Sequence, residues 1–84
     1  TRYHRVMLER ASQAIDEFPA SERDLSALTC CVDAGSLPVF RAMIADFRRQ
    51  CVALAEQSRR PARVIQLNIQ LFPLSDEGDA EDAR

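Results

Sequence analysis

The thirteen residues from Arg63 to Ser75, RVIQLNIQLFPLS, constrain the fold more than any other stretch of the chain. Ile65, Leu67, Ile69 and Leu71 alternate with Gln66, Asn68 and Gln70 without interruption. Alternation with period two is the pattern of a half-buried β-strand, and a 3.6-residue helical period cannot produce it. The stretch predicts a strand with an apolar face to cover and a polar face turned away.

Upstream of it, Arg2 to Phe18 predicts an amphipathic helix. Stepping 100° per residue gathers Tyr3, Val6, Met7, Ala11, Ala14, Ile15 and Phe18 on one arc, opposite Arg5, Glu9, Ser12 and Asp16. Pro19 ends it, because the residue before a proline is pushed out of the helical region. Asp24 to Asp33 predicts a second strand, with Leu28, Cys30 and Val32 on one face and Ala27, Thr29 and Cys31 on the other. Asp33-Ala34-Gly35-Ser36 is a stop, after which Ser36 is placed as an N-cap and Pro38 in the first turn. A second helix is expected from about Leu37 to Gln57, with Phe40, Met43, Ile44, Phe47, Cys51 and Leu54 as its core stripe.

The order α-β-α-β suggests a crossover. A helix of that length spans roughly 30 Å at about 1.5 Å per residue, which matches a strand of about ten residues at about 3.3 Å each. The two strands are therefore expected to be parallel and right-handed. One polar strand face puts both helices on the same side of the sheet. The expected class is α+β, a two-layer open-faced α/β sandwich over residues 1–74. Two strands are too few for an independent sheet, so a second copy, as a homodimer, or an upstream part of the native chain is expected to complete it, the dimer being the simpler.

Composition narrows the function classes. Ser75 to Arg84 carries five acids and one Arg, whereas residues 1–74 carry ten Arg against eight acids. The ending, 75–84, is expected to be a solvated, disordered tail. No basic run marks a nucleic-acid surface, and no apolar run marks a membrane span or signal peptide, so a cytoplasmic protein is expected. The chain starts with Thr, so a native N-terminus further upstream is expected.

Candidate chemistry is sparse. His4 is the only histidine, with no Cys at ligand spacing, and reads as a boundary residue of the first helix. Cys30 and Cys31 are adjacent in the expected strand and Cys51 lies on the helical stripe. They read as small buried hydrophobes, with a redox role for Cys31 as the alternative. The two glycines, Gly35 and Gly78, lie in no phosphate-binding pattern. No catalytic residue, cofactor or metal is expected, and an enzyme is the weakest reading. Thr29, Cys31, Gln66, Asn68 and Gln70 would form a flat, uncharged face, and they are the candidate interface.

The ending, VIQLNIQLFPL, resembles the C-terminal signature "VyqLNiQlFPLt" of a bacterial family of uncharacterised proteins. Arg23-Asp24-Leu25-Ser26 is similar to that family's "RDiS", and Tyr3-His4 with Met7-Leu8 to its "yH..ml..A" helix. Ile65 stands where the family commonly has an aromatic residue. The resemblance implies a longer cytoplasmic protein, a transcriptional regulator with helix-turn-helix or winged-helix-like segments upstream. It carries no catalytic residues over. The expected function is a C-terminal oligomerisation or regulatory domain acting by sheet-completing self-association. The upstream segment of the same chain would bind DNA, with no nucleic-acid or membrane contact by these residues. The alternative is a small-molecule effector-sensing module of the same regulator.

Overall fold

Helices form where the periodicity places them, and strands do not. The computed structural model of the chain describes residues 1–60 and 62–75. Helix α1 is Arg2–Glu17 and helix α2 is Ser36–Glu56, with a single 3₁₀ turn at Ala20–Glu22 between them. The chain divides into two compact units. Of the described residues, one holds Thr1–Thr29 with Ile65–Asn68; the other holds those of 30–64 with 69–75.

Helix α1 ends as its sequence requires. Phe18, ahead of Pro19, is extended at φ −120° and ψ 144°, while its N–H still bonds the Ala14 carbonyl at 3.2 Å. Arg23 then reaches back, its Nε donating to the Phe18 carbonyl at 2.9 Å. That bond satisfies one of the carbonyls a helix end leaves without an intrahelical partner.

The start of α2 corrects the expected cap. Ser36 is the first helical residue and receives the cap instead of supplying it. Asp33 Oδ1 accepts from the Ser36 N–H at 3.0 Å and from Ser36 Oγ at 2.8 Å. The Asp33 carbonyl closes the same turn, accepting from the Ser36 N–H at 3.1 Å. A carboxylate at this end also opposes the positive pole of the helix dipole. Gly35 sits at φ −70° and ψ −18°, ordinary right-handed backbone, so the turn does not draw on glycine's freedom.

The α+β sandwich is overturned. Among the described residues there is no strand and no sheet, and the two helices carry the regular structure. None of the backbone hydrogen bonds outside the helices falls within 24–32 or 64–72. The physical reason is that alternation and pairing are separate properties. A period of two fixes which side chains share a side; a strand additionally needs a neighbour to exchange N–H and C=O bonds with. The predicted crossover, the parallel pairing and the sheet shared with a second copy fall with it. The acidic tail lies, except for Ser75, outside the described residues.

No described residue is buried. On α1 the half-buried positions are Met7, Ala11 and Ala14; on α2 they are Ser36, Phe40, Ile44, Ala45 and Cys51. Met7, Ala11, Ala14, Phe40, Ile44 and Cys51 fall on the expected stripes, and Ala45 lies off the α2 stripe. The remaining members of the α2 stripe do not find cover: Met43 is 64% exposed, Phe47 50% and Leu54 70%.

Candidate functional site

In the first unit, the alternating segment meets α1 through its polar row. Asn68 Nδ2 donates to the Met7 carbonyl at 3.0 Å, and Asn68 is half-buried there. Gln66 Nε2 donates to Asn68 Oδ1 at 3.0 Å and to the Tyr3 hydroxyl at 3.1 Å. The Met7 carbonyl lies inside the helix, and a carbonyl oxygen has a second lone pair to offer beyond its helical bond. The result is a short relay from helix backbone to amide, to amide, to phenol.

The expected orientation of the segment is corrected here. Its apolar row was to face the helices, yet Ile65 is 83% exposed and Leu67 52%. Gln66 and Asn68, expected on the outward face, are the side chains that bond α1. Tyr3 supplies part of the reason: its hydroxyl, on an otherwise apolar arc, offers an acceptor to the Gln66 amide.

The second unit holds a groove of about 420 Å³. Helix α2 contributes Leu37, Ile44 and Ala45 to its lining; the later part of the alternating segment contributes Ile69, Leu71 and Phe72. Here the apolar row does turn towards a helix. Arg41, Arg48 and Pro73 complete the lining, and no acidic side chain belongs to it. The neighbouring Arg49 is paired with Asp46 at 3.3 Å, and Gln50 donates to the same carboxylate at 2.8 Å. Arg41 and Arg48 have no hydrogen bond or ion pair among the described residues.

The candidate interface residues are divided between the two units. Thr29, Gln66 and Asn68 belong to the first, Cys31 and Gln70 to the second. Thr29, Cys31, Gln66 and Gln70 are exposed, and Asn68 is not. The cysteines are also corrected: Cys30 and Cys31 are exposed free thiols, and only Cys51 is partly covered. Without a sheet there is no helix-covered face for Cys30 to occupy. His4 is exposed and sets its ring edge-on to Tyr3, with centroids 5.6 Å apart. Among the described residues no cluster of three or more His, Cys, Asp or Glu side chains could hold a metal ion. No described helix is long and apolar enough to cross a membrane.

A family model with the description "Domain of unknown function (DUF4423)" matches residues 1–74. The chain belongs to the DUF4423 family. Both helices, the Asn68 relay and the α2 groove of this DUF4423 chain all fall within the matched residues. Neither the curated proteins nor the solved structures give a match to the chain.

Proposed function

We propose that this chain is the association and regulatory module of a bacterial transcriptional regulator, joining two copies through α2. The observation that carries the reading is the uncovered stripe Val39, Met43, Phe47 and Leu54. At 100° per residue these four lie within about 80° of one another, and they are 58%, 64%, 50% and 70% exposed. Fully burying one such side chain is worth about 1.5–3 kcal/mol. A helix that leaves its own stripe open gains that free energy only by packing against another chain or another domain. A second copy presents the same stripe, which makes a two-fold, self-complementary contact available.

The regulator part of the reading draws on the resemblance of the ending and of the Tyr3-His4 helix. Two joined modules would hold two upstream DNA-binding segments at a fixed spacing and so favour paired half-sites. Sheet completion is no part of this proposal, because the described residues offer no sheet to complete. Sedimentation equilibrium of the 84-residue chain tests it. The wild type is expected to dimerise with rising concentration, and M43E/F47E to weaken the dimer at least tenfold, about 1.4 kcal/mol. A wild type that stays monomeric at high concentration, or an M43E/F47E variant that associates as well, would refute it.

A second reading, effector sensing by the same regulator, is favoured by one observation: the α2 groove with its two unpaired guanidinium groups.

A further inference from the structure

We infer that the α2 groove is a binding site for a small amphipathic carboxylate, one acid group on an apolar body. This deepens the sensing reading and rests on it; it is independent of association through the Met43 and Phe47 stripe. The ligand class follows from three features of the lining.

The first is the register of the charges. Arg41, Ala45 and Arg48 stand at i, i+4 and i+7 of α2. Each arginine is thus one helical turn from Ala45, about 5–6 Å between Cβ atoms. The two arginines stand two turns apart along one side of α2, with Ala45 between them, and both line the groove. Ala45 is small, so the space above it is open to an anion. Guanidinium groups match carboxylate oxygens in planar, bidentate geometry.

The second is that this charge is uncompensated. Arg49, one residue on, has Asp46 as its partner; Arg41 and Arg48 have none among the described residues, and no acid lines the groove. The third is the floor. Leu37, Ile44, Ile69, Leu71 and Phe72 supply an apolar surface beside the two charges. A cavity near 420 Å³ lies within the ordinary range for small-ligand sites, about 300–1,000 Å³. Acetate would use the charges and leave the floor wet; an alcohol would use the floor and leave the guanidinium groups without an anion. A carboxylate carrying an alkyl or aryl body uses both.

The test is a ¹H–¹⁵N correlation titration of the 84-residue chain with decanoate, with decan-1-ol and acetate as controls. Decanoate is expected to move the amides of 37–48 and 69–72, and both controls to bind at least tenfold more weakly. R41Q/R48Q is expected to lower decanoate affinity at least tenfold while leaving decanol binding and helix content unchanged. The proposal is overturned if decanol binds as well as decanoate, if R41Q/R48Q binds decanoate like the wild type, or if the shifts fall elsewhere. It is also overturned by either competing occupant. Amides of 69–72 that move with protein concentration alone, in M43E/F47E as in the wild type, identify a second copy seated in the groove. Groove amides that move without ligand when the acids at 76, 77, 79, 81 and 82 become amides identify the chain's own C-terminal residues.

Discussion

Gly35 illustrates how far a single residue's role can be read from sequence. Between Ala34 and Ser36 it marks a turn, and the turn is there, yet its φ of −70° is one that any L-residue adopts. A Cβ added at Gly35 would meet only Asp33 Oδ1, at 3.6 Å, an ordinary contact. Gly35→Ala is therefore expected to stabilise α2 by about 0.4–1 kcal/mol, chiefly by reducing the freedom of the unfolded chain. Helix content followed through a urea titration checks it, and a loss of stability would show that the turn needs glycine. Asp33, three residues before Ser36, was legible as a turn residue but not as the cap. Ser and Asp are both strong capping residues, and which one caps depends on where the first helical turn closes. Asn68 makes the opposite case: its amide supports α1 from 61 positions away in the sequence. Asn68→Ala is expected to lose about 0.5–1.5 kcal/mol of local stability. Asn68→Asp is expected to lose more, because it sets an acceptor against the Met7 carbonyl. Amide exchange of Met7 through Ala14 reads both variants; an effect no larger than that of an exposed substitution would remove Asn68 from the list of supports.

At the scale of elements, the helices were legible and the strands were not, for a reason that Gln66 and Ile69 make concrete. A helix satisfies its backbone within itself, so a 3.6-residue pattern plus an end signal nearly suffices to specify it. Leu25 to Val32 and Val64 to Leu71 carry good strand residues, but pairing would have required each to find the other across the intervening helix. The alternation survives in what the side chains do: Gln66 and Asn68, two apart, act together on α1, while Ile69 and Leu71, also two apart, line the α2 groove. Which row each helix would take was not legible, because it turns on the Tyr3 hydroxyl and the second lone pair of Met7, both features of α1. Hydrogen exchange separates the two architectures directly. Amides of 24–32 and 64–72 are expected to exchange close to the unprotected rate, whereas those of α2 from Phe40 to Leu54 are slowed. Alternate protected amides along 64–72 would reveal a ladder and restore the sheet.

For the whole molecule, the decisive fact is that nothing described is buried although 46% of the residues are hydrophobic. The helical pattern predicted a core stripe on α2, but Phe40, Ile44 and Cys51 are only partly covered while Met43, Phe47 and Leu54 stay open. A small chain buries a limited fraction of its surface even in favourable cases. Under the proposed association, the open α2 stripe would add its stability on binding. Any partner that binds only the folded state raises the melting temperature by mass action. If the partner is a second copy, protein concentration is itself the ligand concentration. The melting temperature of the wild type is thus expected to rise steadily as the chain is concentrated, and M43E/F47E to melt at a temperature independent of concentration. R41Q/R48Q, whose changes lie in the groove and away from the stripe, is expected to follow the wild type. A melting temperature that is high and constant at every concentration would mean that the isolated chain is held by interactions within itself, and self-association through α2 would then have no work left to do.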